Sequence, residues 1–240
     1  RDRQRMPRLA EQTRVVAEVK ALGLPALALK GDVSKAHRRI RVARRDWGLQ
    51  ACQLDDKDEV WLNCVGTFGV ASAGYFWSRL IAAAGRSLLQ ILQRALIWQL
   101  IFVDDFAWTA AGRDFALNLM TAVLYYRILG IPFSWPKFAG GLAYDWIGFH
   151  IDLGRGLTGL SDKRRAWLVD WLRTTLDRGA VLIRHFRDVL GRAQYATLAL
   201  EHLRPFLGPL YAWIAATPPG AVLALPDALI LILGFLLKTL

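Results

Sequence analysis

Apolar and polar positions follow both helical and strand-like spacing over the first two thirds of the chain. Residues 8–22 carry apolar side chains at helical spacing and stop at Gly23, just before Pro25, which predicts a helix. Helices are also predicted over 71–96 and 114–129. The strand-like segments are 26–29, 97–103, 106–109 and parts of 131–151, with a hairpin between Gln50 and Val65 around the polar turn at 55–58.

Beyond Gly159 the spacing becomes helical. Helices are predicted over 161–175, 184–200, 205–216 and 227–238, so an α+β core to about residue 155 is followed by an all-helical region. The most apolar stretch, 221–237, is interrupted by Pro226 and Asp227, which leaves less than the ~20 residues that cross a bilayer. We therefore predict a packed terminal helix and no membrane span.

Charge narrows the range of partners. The chain has 240 residues, 54% of them hydrophobic, and a formal net charge of +11. Residues 1–48 contain 13 Lys and Arg against five Asp and Glu, so the excess is a local patch. Such a patch suits a polyanionic partner, nucleic acid or an acidic membrane surface, better than a neutral small molecule.

A run of arginines lies within this patch. Its members are Arg38, Arg39, Arg41, Arg44 and Arg45. Arginines can hold phosphates bidentately and independently of base sequence. We favour contact with nucleic acid or a triphosphate, which predicts a steep salt dependence of binding. A merely solvated face is the alternative.

The two cysteines and the start of the sequence bear on localisation. Cys52 and Cys64 are too few for a disulfide framework and lack metal-ligand spacing, which favours a reducing compartment, cytoplasmic or nuclear. The first residues contain no apolar signal region and do not begin with Met, so we expect a fragment of a protein that is not secreted.

Three aspartates stand at the ends of apolar, strand-like runs. Asp32 ends the run ALALKGD, and Asp104 and Asp105 end the run LIFVDD. Phosphoryl transfer to a 3′-hydroxyl uses two divalent metal ions, and Mg²⁺ prefers converging carboxylate oxygens. Each aspartate also has a simpler interpretation, because Asp is common in turns and caps. Two adjacent carboxylates are nevertheless a poor choice for a tight hairpin turn.

Three segments in order along the chain resemble motifs A, B and C of reverse transcriptases. They are Lys30–His37 (KGDVSKAH), Thr67–Ala73 (TFGVASA) and Phe102–Asp105 (FVDD). Downstream, Ser134–Lys137 (SWPK) resembles motif D and Trp146–Phe149 (WIGF) resembles the primer-grip strand pair of motif E. The resemblance is strong over residues 25–155. The helical remainder looks more loosely like the region after the palm in retrotransposon polymerases of the DIRS and gypsy types.

The resemblance implies a fold and a domain organisation. We expect an α+β protein with a right-hand polymerase palm, a ferredoxin-like antiparallel sheet with helices on one face, followed by a helical thumb or connection region. Residues 1–24 would be a remnant of the fingers or an N-terminal helix, 25–155 the palm with part of the fingers, and 156–240 the helical region.

It also implies roles for the polar residues of these motifs. Asp32 and Asp104 would be the principal ligands of two Mg²⁺ or Mn²⁺ ions, with the backbone carbonyl of Val33 assisting and Asp105 more peripheral. Lys137 would protonate the leaving pyrophosphate or neutralise its charge, unless it is a solvated loop lysine.

Further residues would contact the nucleotide and the primer. Phe68 and Gly69 would lie against the incoming nucleotide, and Trp146 and Gly148 against the primer. His37 falls where the family usually has the Tyr or Phe that senses the sugar 2′ position, and a surface histidine is the alternative. Two further departures are Thr67 and Gly74, where the family usually has proline.

The sequence thus predicts an RNA-directed DNA polymerase of a retroelement, acting with dNTPs on a primed RNA or DNA template. No ribonuclease H, integrase or recombinase signature is visible, so such domains would lie outside the chain. One alternative is a degenerate or domesticated copy that binds nucleic acid without catalysis, since only 31 residues precede Asp32 where the family has longer fingers. Another is a basic, membrane-associated helical protein, suggested by the mean hydropathy of +0.26.

Overall fold

The computed structural model describes residues 5–54, 58–67 and 69–240. The chain divides into two compact units. The first comprises Arg1–Ile147 and Asp152–Gly156, and the second comprises Gly148–Ile151 and Leu157–Leu240.

The first unit is built on an antiparallel sheet. Its helices are α1 (Leu9–Leu22), α2 (Ala71–Ile91) and α3 (Phe115–Ile128), and its strands are β1 (Ala26–Asp32), β2 (Ala51–Cys52), β3 (Trp61–Leu62), β4 (Ile97–Phe102), β5 (Asp105–Ala111), β6 (Ala139–Gly141) and β7 (Ala143–Trp146). Strands β4, β5, β1 and β6 form a sheet in that order, and β2 pairs with β3. Short 3₁₀ helices span Ala36–Arg39, Arg44–Gln50 and Trp135–Lys137.

Consecutive residues of the central strand β5 are buried. Since side chains alternate between the two faces of a strand, both faces of β5 are covered. On one face, Phe106 and Trp108 belong to an apolar core with residues of α2 and α3 such as Trp77 and Tyr126. The helices predicted on one face of the sheet are therefore α2 and α3.

Helix α1 covers the opposite face. Trp98 of β4 pairs across the sheet with Thr109 and donates a hydrogen bond of 2.6 Å from Nε1 to Glu18 of α1. Gln12 of α1 contacts the hydroxyl of Tyr144 in β7 at 3.3 Å. The predicted N-terminal helix is thus an integral part of this unit.

Some predicted boundaries were wrong. Helix α2 ends at Ile91 and not at 96, because Leu92–Ala95 form a turn that lets β4 start opposite Ala110. The hairpin within 50–65 is confirmed by β2 and β3, although the turn residues 55–57 lie outside the described residues. The strands predicted within 131–151 are confirmed by β6 and β7, which follow a loop and a 3₁₀ helix and begin at Ala139.

The second unit is mainly helical. It contains β8 (Phe149–Asp152, apart from its last residue), β9 (Leu157–Leu160), α4 (Asp162–Arg178), β10 (Ala180–Leu182), α5 (Ile183–Ala196), α6 (Leu207–Ala215), β11 (Val222–Ala224) and α7 (Asp227–Thr239), with a 3₁₀ helix at Glu201–Phe206. The terminal helix α7 buries Leu229, Leu233 and Leu236 in the core, which confirms the predicted packed helix. Nothing in the described part of the chain forms a helix of the length and apolarity that crossing a membrane requires.

The prediction of an all-helical region after residue 155 was wrong in one respect, since β9, β10 and β11 lie there. Gly179 adopts a left-handed conformation that ends α4, so the chain turns directly into β10. Strand β10 then pairs with β11, and the amide of Leu225 donates to the carbonyl of Gly179. Short strands of this kind give little sequence periodicity, which explains the error.

Candidate active site

The sheet brings two of the three aspartates face to face. Asp32 is the last residue of β1 and is directly opposite Asp105, the first residue of β5. Directly opposite residues in an antiparallel pair point to the same face, with Cα atoms about 4.5 to 5.5 Å apart. The register therefore supplies the carboxylate pair.

Asp104 lies in the turn beside this pair. Strand β4 ends at Phe102, so Val103 and Asp104 form a two-residue turn and Asp105 already belongs to β5. The alternative interpretation of these aspartates as turn residues therefore holds for the position of Asp104 but not for Asp105, which pairs with Asp32 in the sheet. The amide of Val33 donates to the carbonyl of Asp104 at 2.9 Å, which fixes the turn against the end of β1.

Lys137 approaches the same carboxylates from another segment. Its Nζ lies 3.0 Å from Oδ1 of Asp32, whose side chain is 13% exposed. The amide of Ser134 donates to the carbonyl of Asp32 at 2.8 Å, and the 3₁₀ turn that follows carries Lys137 back over the strand end. The hydrogen bond to Asp32 raises the pKa of Lys137, so its ammonium stays protonated at neutral pH.

Asp32, Asp105 and Lys137 line a cleft of about 330 Å³. Its walls are Lys30, Gly31, Asp32, Asp105, Lys137, Asp145, Trp146 and Ile147. Sequence reasoning missed Lys30, whose Nζ donates to the carbonyl of Asp145 at 2.6 Å. The available signal was its position two residues before Asp32, which puts both side chains on one face of β1.

The electrostatics of the cleft favour a bound cation. Burial, and then the negative charges of Asp104 and Asp32, raise the pKa of Asp105 from 3.8 to about 6, against the opposing effect of Lys137 and Lys30. Burial is the largest cause, and the neighbouring carboxylates add to it by like-charge repulsion. A cation relieves such repulsion, and Lys137 supplies one at Asp32.

This shift predicts how stability depends on pH. Between about pH 4 and about pH 6 the folded chain holds a proton on Asp105 that the unfolded chain has lost, so the free energy of unfolding falls as pH rises. We expect Asp105→Asn to remove this fall in the free energy of unfolding. Urea unfolding of the variant and the wild type at about pH 5 and about pH 8 measures the difference. Identical pH dependence of the two proteins would contradict it.

The donor set fits a divalent cation in its chemistry, because carboxylate oxygens are the ligands that Mg²⁺ and Mn²⁺ prefer. The side chains are not gathered around a single point, however. Over residues 5–54, 58–67 and 69–240, no three His, Cys, Asp or Glu side chains converge closely enough to hold a metal ion. Asp32 is instead paired with the ammonium of Lys137.

Three of the four predicted nucleotide-contacting residues lie in the described part of the chain. Val33 is buried, with 1% of the residue exposed, and its side chain belongs to the core between the sheet, α2 and α3. His37 is half-buried, and a Cβ on Gly74 would lie 3.5 Å from its Nε2. Gly69 is exposed with φ +88°, a conformation that favours glycine. Phe68 lies outside the described residues.

The five predicted phosphate-binding arginines are all exposed. They are Arg38, Arg39, Arg41, Arg44 and Arg45. Several are held locally: Nε of Arg39 donates to the carbonyl of Ser34 at 3.2 Å, and Arg44 lies over the ring of Trp47 at 5.9 Å. They form an accessible basic surface on the two 3₁₀ helices and, at Arg41, on the segment between them.

The two predicted primer-grip residues differ in their surroundings. Trp146 is only 3% exposed, and its Nε1 has no hydrogen-bond partner within the described part of the chain. Its indole is therefore shielded from solvent. In the second unit, Gly148 has φ +85°, and a Cβ there would meet the guanidinium of Arg164 at 2.2 Å. Glycine is required at this turn.

No protein-family model and no curated protein matches the chain. Solved structures of the foamy viral protease-reverse transcriptase do share its fold. The complex with an RNA/DNA hybrid has a TM-score of 0.66 at 14% identity, over 89% of this chain and 27% of that one. The dRH form in complex with double-stranded DNA has a TM-score of 0.70 at 14% identity, over 100% of this chain and 38% of that one.

These likenesses define the class of fold. The chain has a reverse-transcriptase-like polymerase fold, an α+β unit with an antiparallel sheet and a helical region, which confirms the predicted fold class. It spans well under half the length of the two viral chains.

Proposed function

We propose that this chain catalyses template-directed nucleotidyl transfer as the RNA-directed DNA polymerase of a retroelement of the DIRS or gypsy kind. It acts on dNTPs and a primed RNA or DNA template, with two Mg²⁺ or Mn²⁺ ions. The observation that carries this proposal is the strand register that sets Asp32 opposite Asp105, with Asp104 in the adjoining turn. Residues 25–155 are the palm with part of the fingers, and 156–240 the thumb or connection.

The carboxylates hold the metal ions in this proposal. Asp32 and Asp104 are the principal ligands, the carbonyl of Val33 assists, and Asp105 is peripheral. Bound ions supply Lewis-acid stabilisation to the attacking 3′-oxygen and the leaving pyrophosphate. Asp32 would hold a metal ion in place of its present partner, the ammonium of Lys137, which lies 3.0 Å away.

Lys137 then has a second role. Because it is 64% exposed and sits on a short 3₁₀ helix, it can turn from Asp32 towards the pyrophosphate side of the cleft. Its raised pKa keeps it protonated, so it neutralises or protonates the leaving group. His37, Phe68 and Gly69 contact the incoming nucleotide, and the half-buried imidazole of His37 excludes a 2′-hydroxyl.

Nucleic acid lies along the exposed basic surface. Phosphates of template and primer contact the five arginines between residues 38 and 45. Contacts of this kind do not depend on the base sequence. Trp146 and Gly148 belong to the primer-contacting segment in this proposal, and Trp146 would have to become exposed to take part because only 3% of it is accessible. Since the two cysteines are free thiols, we assign the activity to the cytoplasm or nucleus. Any ribonuclease H, recombinase or integrase partner would lie outside these residues.

Primer extension tests the proposal. The wild-type chain, with a labelled DNA primer on RNA and on DNA templates, is expected to extend the primer only with dNTPs and with Mg²⁺ or Mn²⁺. Asp104→Asn is expected to bind the same primed template and extend nothing, because it keeps the turn and the basic surface but loses a metal ligand.

A second candidate function is binding of nucleic acid without catalysis, as in a degenerate or domesticated copy. It is favoured by the Lys137–Asp32 ion pair and by the absence of a gathered metal site in the described residues. Under this alternative, wild type and Asp104→Asn bind primed template equally and neither extends it at any metal concentration.

A further inference from the structure

The turn that carries Asp104 has an unusual backbone. Val103, the first of its two residues, has φ +56°, and Asp104 is not among the residues with positive φ. This is the pattern of a type II′ hairpin turn, in which glycine is preferred at the first position. A β-branched residue is strained there, and such strain persists only where the surrounding structure holds it.

Two hydrogen bonds hold this turn from opposite sides. Nε1 of Trp77 in α2 donates to the carbonyl of Val103 at 2.8 Å, and the amide of Val33 donates to the next carbonyl, that of Asp104, at 2.9 Å. Trp77 is completely buried in the core between α2 and the sheet, so its indole has a fixed position. The Val103 peptide is thus fixed to a rigid helix.

We propose that Trp77 is the positioning residue for Asp104. Its indole N–H fixes the carbonyl of Val103 in the strained turn and thereby sets the direction in which the Asp104 carboxylate projects. Trp77 touches neither the cleft nor a substrate. The inference concerns the backbone of the turn, and only its metal-binding consequence rests on the proposed function.

Trp108 provides a matched control. It is equally buried, belongs to the same core, and donates from Nε1 to Oε1 of Gln99 at 2.9 Å. That oxygen also accepts a hydrogen bond from the hydroxyl of Tyr126 at 2.8 Å, so it keeps a donor when Trp108 is replaced. Trp108→Phe therefore removes the same chemical group from the same core without touching the turn.

The experiment compares Trp77→Phe, Trp108→Phe and the double variant Trp77→Phe/Val103→Gly. Amide hydrogen exchange is measured in peptic fragments covering the turn and Val33, and Mn²⁺ affinity is measured by titration with electron paramagnetic resonance. Trp77→Phe is expected to accelerate exchange in both fragments. It should also weaken Mn²⁺ binding by roughly tenfold, because the residue that orients a metal ligand is lost. Trp108→Phe should change neither. Val103→Gly should restore both in the double variant, because glycine adopts positive φ without strain.

Equal exchange in the turn for Trp77→Phe and Trp108→Phe would overturn the inference, as would failure of Val103→Gly to restore protection. If wild type binds no Mn²⁺ but Trp77→Phe alone opens the turn, the positioning role stands and the proposed polymerase function falls. Should Trp77→Phe fail to fold, benzothienylalanine at position 77 replaces the N–H by sulfur with little change of shape. It is then expected to open the turn, and an unchanged turn rejects the inference.

Discussion

An Asp32→Asn variant is expected to lose about a thousandfold of its Mg²⁺-dependent nucleotide incorporation, which corresponds to about 4 kcal/mol of transition-state stabilisation. Asp32 lies directly opposite Asp105 in the sheet and also forms the ion pair with Lys137. A neutral amide binds a hard cation far more weakly and leaves Lys137 without its partner. Folding should be unaffected, since an ion pair with so exposed a lysine contributes only about 0 to 1 kcal/mol.

Single-turnover incorporation with a primed template measures this effect. The matched control is Asp145→Asn, which makes the same charge change at an exposed residue of the same cleft. It should retain the wild-type rate to within about threefold. A thousandfold loss in both variants would mean that the overall charge of the cleft, and not Asp32 itself, sets the rate. A wild-type rate in Asp32→Asn would contradict the assignment of Asp32 to the active site.

Gly31→Ala is expected to destabilise the protein by about 1 to 3 kcal/mol, the usual cost of overpacking a core. A Cβ on Gly31 would lie 2.6 Å from Cζ of Phe138, whose ring packs against Phe133 at a centroid distance of 5.1 Å. The ring must therefore move. Because Phe138 directly follows Lys137, the movement also disturbs the ion pair with Asp32.

Chemical denaturation of Gly31→Ala measures this cost, with Gly159→Ala as its control. A Cβ on Gly159 meets nothing within 4 Å, and its φ is not positive, so this variant should match the wild type. Phe138→Leu should relieve the clash, which makes the double variant less destabilised than the sum of the two single variants. Strict additivity would mean that the contact between Gly31 and Phe138 is not the cause.

The aspartate site could be predicted from the sequence because two signals coincide there. Apolar runs ending in Asp32 and in Asp104-Asp105 mark strand ends, and the ordered motifs around them resemble those of polymerases. What the sequence did not contain is register. A shift of one residue would move every side chain of β1 to the other face, so the pairing of Asp32 with Asp105 needed the fold.

Long-range contacts account for most of what was missed. From the sequence, Trp77 is indistinguishable from any other apolar aromatic residue of a helix. Only the fold brings its Nε1 to the carbonyl of Val103. The buried state of Trp146 was equally invisible, because a tryptophan beside a glycine turn suits either surface or core. The early end of α2 reflects the start of β4, a case in which tertiary structure overrides local helix propensity.

The most direct test of the site is a Mn²⁺ titration of the wild type and Asp104→Asn in the presence of a dNTP, followed by electron paramagnetic resonance. Because the carboxylates of Asp32, Asp104 and Asp105 lie close enough to interact, we expect the wild type to bind Mn²⁺. Asp104→Asn should bind it at least about tenfold more weakly, a difference of about 1.4 kcal/mol. Equal Mn²⁺ affinity of the two proteins, both with native melting behaviour, would contradict the assignment of Asp104 to a metal centre.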